Sequence, residues 1–203
     1  MEILAPLVIL IFSAILHEVM HGVVADKLGD PTAKLMGRLT LNPIPHLDPV
    51  MSILLPALLV FSGSPIIFGA AKPVPVNPIH FRDPKKDMAL TALAGPLTNI
   101  LLAVIAAQIL KFSLLTSQLS PLLYMVVLYN LMLAIINLLP IPPLDGSKVF
   151  AAILPNDLAS LYLSIERYGI FILFFLLLFP FGEFSLGSII NDLILFSLGL
   201  LGL

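Results

Sequence analysis

The segment Ile-Leu-His-Glu-Val-Met-His-Gly at residues 15–22 restricts this chain more than any other stretch. No residue from 3 to 16 carries a charge, so the chain ahead of it reads as a membrane helix into which His17, Glu18 and His21 intrude. An ionisable residue near mid-membrane costs about 2.5–3.5 kcal/mol on insertion scales, and three together demand a compensating partner. On a helix, positions i and i+4 stack on one face, so His17 and His21 can offer ring nitrogens to one metal ion while Glu18 beside them activates a bound water. Zinc is the expected metal, one ion per chain, and catalytic zinc takes three protein ligands with one position left open. A third ligand must therefore come from elsewhere in the chain.

Of 203 residues, 59% are hydrophobic and only 11% charged, which leaves little for a soluble domain. Uncharged runs cover residues 49–71, 88–110, 112–144, 168–182 and the flanks of Asp192 up to residue 203. Measured against a span of about 20 residues, these predict an all-α polytopic membrane protein with about five to six transmembrane helices. A re-entrant or extended hairpin is expected between the first and second core helices. The whole of 1–203 is read as one integral-membrane domain, with a core at about 3–154 and a C-terminal helical hairpin at about 157–203. The first apolar stretch carries the His-Glu-x-x-His and no small-residue cleavage pattern follows it, so it is expected to be a retained helix. Cysteine is absent, which removes disulfides and thiolate metal sites and confines zinc ligands to His, Asp and Glu. A net charge of −2 argues against nucleic acid as a partner.

In chain order, helix one is expected at 3–25. The loops 26–48 and 72–87 carry Lys27, Lys34 and Arg38, and Lys72, Arg82, Lys85 and Lys86, so both read as cytoplasmic. The uncharged stretch between them creates a parity conflict for a simple span. Pro56, Gly63, Pro65 and Gly69 suggest a re-entrant hairpin turning near 62–65; a complete span is the alternative. The return arm, 68–78, is extended because its alternating prolines forbid a helix. It is read either as an edge for an unwound substrate strand or as a stiff connector. His46 precedes Asp48-Pro49, a good cap for the hairpin's first arm, and is read either as structural or as a gate or transient metal ligand at the site mouth. Helix two, 88–111, contains Gly95-Pro96-Leu97-Thr98-Asn99, and the Asn99 amide is read as an interhelical bridge or as a substrate-binding group. Helix three, 121–139, is broken by Pro140, Pro142 and Pro143 just before Asp145, the only charge between Phe112 and Ser147. Asp145 is the expected third ligand, against the alternative of a plain cap for a short helix at 147–154. By parity it returns to the leaflet of His17 and His21. A fourth helix at 158–179, capped by Asn156-Asp157, and a fifth at 186–203 carry no evident chemistry.

His17-Glu18-x-x-His21 on one membrane helix and Asn137-x-x-Pro140-x-Pro142-x-Leu144-Asp145-Gly146 ending another resemble the site-2 protease family of intramembrane zinc metalloproteases. The resemblance covers roughly residues 11–154, including Gly95-Pro96-x-x-Asn99. It implies zinc on His17, His21 and Asp145, Glu18 as catalytic base, and Asn137 beside the zinc, holding the substrate carbonyl or its oxyanion. The compact prokaryotic members look similar in lacking both a PDZ and a nucleotide-sensing domain. Implied with them are a prokaryotic cell-membrane location, an active site toward the cytoplasm, and substrates that are membrane proteins or single-span peptides. Substrate helices must unwind before cleavage, so Gly, Asn or Pro is expected near the cut. A metal-ion transporter and an inactive protease-like membrane scaffold are the rival readings; the first explains Glu18 poorly, and no paired inverted repeat is visible.

Overall fold

The computed structural model describes residues 4–62, 71–112, 119–180, 182 and 185–203, and among these the chain is helical with no strand. Its α-helices are α1 (Leu4–Leu28), α2 (Thr32–Leu35), α3 (Leu55–Phe61), α4 (Pro84–Phe112), α5 (Leu119–Leu138), α6 (Asp145–Ile153), α7 (Asn156–Ser164), α8 (Glu166–Leu178) and α9 (Leu186–Leu201). Helices are what an apolar chain must form where no water is present to satisfy backbone N–H and C=O groups. Three of them, α1, α4 and α5, are long and apolar enough to cross a membrane. The α7–α8 pair passes the same test but bends by 64°, which brings the number to at most four. The shorter apolar helix α9 has 16 residues, a length of about 24 Å. Against the five to six spans expected, the described residues thus supply three or four and the shorter α9.

Local sequence sets the ends. Pro84 occupies the first position of α4, the Asp83 carboxylate accepts the Lys86 N–H at 3.2 Å, and the Asp87 carboxylate takes the Asp83 N–H at 3.0 Å. Asp48 caps the hairpin's first arm as expected, accepting the Val50 N–H at 2.9 Å, and the chain runs through a wide π-type turn at Pro49–Leu54 into α3. The expected hairpin turn lies, past Ser62, outside the described residues. From 71 to 77 the chain is non-helical, as the prolines require.

The expected unbroken fourth helix is divided at Ile165. Both halves touch the proline-rich loop after α5. Tyr162 of α7 donates to the Pro140 carbonyl at 2.7 Å, while a β-carbon at Gly169 of α8 would collide with the Pro142 backbone. The helix α7 starts at Asn156 with Pro155 before it, and no side chain caps it.

The centre of the bundle is α4, which packs against α1, α5 and α6. Ala103, Ala106 and Ala107 on α4 meet Val127 and Leu131 on α5 and Leu198 on α9. Small side chains let helix backbones approach closely, the main source of attraction between helices in lipid. Large apolar residues such as Phe12, Leu101, Ile105, Phe171 and Phe196 are exposed on the outside, a surface that suits acyl chains.

Candidate metal centre

The two histidines of α1 face α4 and the start of α6. His17 and His21 are one helical turn apart, their rings edge to face with centroids 4.6 Å apart, and both are nearly buried at 5% and 7% exposure. Asp145, the first residue of α6, completes the cluster. One of its oxygens, Oδ2, lies 3.0 Å from His17 Nε2 and 3.1 Å from His21 Nε2. Its other oxygen is 3.6 Å from Lys148 Nζ, one turn along α6. Two glycines make the approach possible. A β-carbon at Gly146 would collide with the backbone of Leu138 and Leu139, so only glycine lets α6 tuck under the end of α5. At Gly95 a β-carbon would stand 2.5 Å from both imidazole Nε2 atoms. The α4 backbone therefore closes one side of the cradle between the rings.

Behind the cluster, the outward nitrogens are tied down. His21 Nδ1–H donates to the Thr91 carbonyl at 2.7 Å, and His17 Nδ1–H to the Asn99 side-chain carbonyl at 2.6 Å. Pro96, lacking an N–H, interrupts the backbone ladder of α4 in this region. With the protons on Nδ1, each neutral ring turns a lone pair toward the Asp145 carboxylate. Three acceptors facing one another at this separation, away from water, are unstable unless a cation or extra protons lie between them. A tetrahedral zinc with ligands at about 2.0–2.1 Å has ligand-to-ligand edges of roughly 3.3 Å, close to the 3.0 and 3.1 Å found here. Both the donor set and the cradle fit a zinc ion.

Glu18 is half-buried, and one ligand atom each from His17, Glu18 and His21 lie within 4.8 Å of one another. Its Oε2 accepts the Val74 N–H at 2.8 Å, whereas its Oε1 has no hydrogen-bond partner among the described residues. The extended segment 71–77 that supplies Val74 is pinned by side chains. The buried Arg38 donates to the Lys72 carbonyl at 2.8 Å, and Asp30 accepts the Asn77 N–H at 2.7 Å. Asp30 also accepts the hydroxyl and N–H of Thr32 and the Nδ1–H of His80. Burial alone would raise its pKa; the Thr32 hydroxyl, the Asn77 N–H, His80 and the Thr32 N–H outweigh this and bring it down to about 2.

His17, Glu18, His21 and Asp145 are thus brought together. Asn99 is wholly buried behind His17, bridging α1, α4 and α5 rather than facing an open surface. Asn137 is half-buried near the end of α5; its amide nitrogen donates to the Leu133 carbonyl at 2.9 Å. His46 is buried, its Nε2–H on the Thr40 carbonyl and its own carbonyl accepting the Lys72 N–H, so it steadies the extended segment from below. Sequence reasoning missed Thr91, Ser13, Asn130 and Val74. Thr91 and Val74 act through their backbones, which leave no side-chain signature. Asn130 was visible as an amide inside an apolar run.

Long apolar helices around a buried His-Glu-x-x-His and an aspartate from a distant helix are the marks of a membrane metalloprotease. Comparison with known proteins agrees. Residues 108–180 match the model of Peptidase family M50, a stretch that contains Asn137 and Asp145. The candidate zinc metalloprotease YwhC of Bacillus subtilis (strain 168) is 36% identical over 191 residues, which cover 90% of this chain and 84% of YwhC. Rip2 of Mycobacterium tuberculosis (strain H37Rv), likewise a candidate zinc metalloprotease, is 34% identical over 71% of this chain and 54% of its own length. Zinc metalloprotease MJ0392 of Methanocaldococcus jannaschii is 30% identical over 74% of this chain and 34% of its own. The chain belongs to peptidase family M50, the site-2 proteases. No solved structure matches it.

Proposed function

We propose that this chain is an intramembrane zinc metalloprotease that hydrolyses peptide bonds within or near the transmembrane helices of membrane-protein substrates, in the manner of regulated intramembrane proteolysis. The observation that carries the reading is the convergence of His17 Nε2 and His21 Nε2 on Asp145 Oδ2, each within 3.1 Å of it, with both Nδ1 protons spent elsewhere. His17, His21 and Asp145 would hold one zinc. Bound there, zinc supplies a Lewis acid that acidifies water and polarises a peptide carbonyl.

The chain's own groups do the rest. Glu18 is the base: the Val74 N–H holds one carboxylate oxygen, and the other is left to take a proton from the attacking water. The water oxygen bonds to the carbonyl carbon, the C–N bond breaks, and Glu18 returns the proton to the leaving amine. Asn137 is assigned to the substrate carbonyl; its amide oxygen has no partner among the described residues, and its NH2 is free to trade the Leu133 bond for one to substrate. For Asn99, read from sequence as an interhelical bridge or as a substrate-binding group, the buried bonds to His17, Ser13 and Asn130 favour the bridge. An unwound substrate would lie beside residues 71–77, where the Val76 N–H and the Val74 and Val76 carbonyls have no hydrogen bond among the described residues. The active site is assigned to the cytoplasmic side of a prokaryotic cell membrane, the side of the basic loops.

The test is cleavage of single-span membrane peptides by purified protein and by Glu18→Gln, with bound zinc measured in both. Cleavage within the span by wild type alone, with zinc retained by both, supports the reading. Zinc transport into vesicles that survives Glu18→Gln would replace it with a transporter.

A further inference from the structure

The two histidines orient their protons by different means. His21 Nδ1 meets the Thr91 carbonyl, an oxygen that can only accept, so its proton must sit on Nδ1. His17 Nδ1 meets the amide of Asn99, which can present either its oxygen or its NH2. Were Asn99 turned over, His17 Nδ1 would accept and Nε2 would carry the proton, closing that nitrogen to a metal.

What decides the orientation of Asn99 lies further back. Its amide nitrogen donates to Asn130 Oδ1 at 2.8 Å and reaches the Ser13 carbonyl at 3.4 Å. Asn130 is itself a reversible amide. Its nitrogen donates to the Val126 carbonyl at 2.8 Å and to the Ser13 hydroxyl at 2.9 Å. The Val126 carbonyl can only accept, so Asn130 must turn its NH2 there and its oxygen toward Asn99. Asn99 then shows its NH2 to Asn130 and its oxygen to His17, and the proton goes to Nδ1. Asn99 and Asn130 have no exposed surface and Ser13 is 5% exposed, so no water can rescue a flipped amide. A flip would set oxygen against oxygen at hydrogen-bonding distance in an apolar interior.

We propose that Asn130, supported by Ser13, is a positioning residue: it relays the direction of a backbone carbonyl through Asn99 and so keeps His17 Nε2 free for metal. This rests on the reading of His17 as a metal ligand. Bundle stability alone gives little reason for an amide pair here, because replacing both partners by apolar groups of the same shape is often neutral or stabilising.

The experiment compares full-length wild type with Asn130→Leu, Ser13→Ala, Asn99→Leu and the Asn99→Leu/Asn130→Leu double variant. One readout is zinc affinity by chelator competition. The other is the ring nitrogen NMR of labelled histidine in metal-free protein, at a pH where the rings are neutral, with His17 assigned by its own substitution. Asn130→Leu is expected to weaken zinc by about tenfold and to put proton density on His17 Nε2 while His21 is unchanged. Ser13→Ala should move both readouts in the same direction by less. In the Asn99→Leu background, Asn130→Leu should cause no further loss, since it acts through Asn99. Additive losses in the double variant, or an unchanged His17 tautomer in Asn130→Leu, would overturn the relay. Should Asn130→Leu fail to fold, the Ser13→Ala spectrum decides on the same criterion. A wild type that binds no zinc refutes the metal reading, and the tautomer spectrum still judges the relay.

Discussion

Replacing Gly95 by alanine adds a single methyl group, and the structure says where it must go. The new β-carbon would lie 2.5 Å from His17 Nε2, 2.5 Å from His21 Nε2 and 2.6 Å from His17 Cε1. Ordinary contact needs about 3.5 Å, so each ring must retreat by about 1 Å or α4 must back away. Neither is available cheaply. The rings are held from behind by Thr91 and Asn99 at 2.7 and 2.6 Å. Thr91, Gly95 and Asn99 are spaced four apart on α4, one face of one helix. Any withdrawal of α4 that relieves the clash therefore stretches both hydrogen bonds that orient the ligands. Metal sites tolerate ligand displacements of about 0.2 Å, and loss of one outer-shell partner costs about 10–100-fold in affinity. We expect Gly95→Ala to weaken zinc binding by at least about 100-fold, read by chelator competition on the purified protein, with helicity and expression retained. Gly199→Ala in α9, where a β-carbon meets nothing within 4 Å, is the control and should leave zinc unchanged. A folded Gly95→Ala protein with wild-type zinc affinity would show that the metal does not sit between these two Nε2 atoms.

Other consequences follow from the same geometry. Glu18→Gln should keep its zinc and lower cleavage by about 10²–10⁴-fold, the usual worth of a positioned acid–base group; wild-type turnover would assign the proton transfer to another residue. Gly146→Ala should push α6 off the end of α5 and carry Asp145 with it, weakening zinc while Lys148→Met, which leaves the backbone alone, does so far less. The Asp30 pKa, lowered from 3.8 to about 2, makes its tether complete above pH 4 and progressively lost as pH falls toward 2. The shift corresponds to about 2 kcal/mol. Exchange of the Asn77 N–H, which the Asp30 carboxylate accepts, should therefore speed up below pH 4 beyond its intrinsic pH dependence, and Asp30→Asn should abolish that extra acceleration; protection of this N–H that persists to pH 2 would remove Asp30 as the anchor. In substrates, replacing Gly, Asn or Pro near the cut by Leu or Ala should slow cleavage, because a stiffer helix hides its carbonyls in i to i+4 bonds; equal rates would argue against required unwinding.

Which features could be read from sequence depended on whether they were written in side chains. His17, Glu18, His21 and Asp145 stood out because polar groups are costly in an apolar span, so their presence already implied a shared purpose. The three long helices were legible to within a few residues because lipid leaves the backbone no alternative. The division at Ile165 was not, since no proline or glycine stands at that position to announce it. The holders of the site were hidden for a similar reason. Thr91 and Val74 contribute a backbone carbonyl and a backbone N–H; every residue has the first, and every residue but proline the second. Gly95 stands out in sequence only as part of Gly95-Pro96-x-x-Asn99; that it leaves room between two imidazoles emerges only from the folded arrangement of α1 and α4.

The arrangement of polar groups also shows why the centre is built from four helices and an extended strap, residues 71–77, rather than from α1 alone. An α-helix can offer His17 and His21 on one face, but its own carbonyls are committed to its ladder and cannot orient the rings. Orientation must come from a neighbour, and α4 supplies it at Thr91 and Asn99, one turn to either side of a glycine that lets the helices touch. Asn99 in turn introduces an NH2 that the bilayer interior cannot satisfy, which α5 answers with Asn130 and α1 with Ser13. Each polar group admitted for the metal thus requires another behind it, and the series ends only where a backbone carbonyl closes it. Glu18 is the exception that the chemistry requires. It is half-buried, is anchored through one oxygen by Val74, and keeps the other without a partner among the described residues. A base must have a lone pair to spare, and here the strap holds the carboxylate still without using up that capacity.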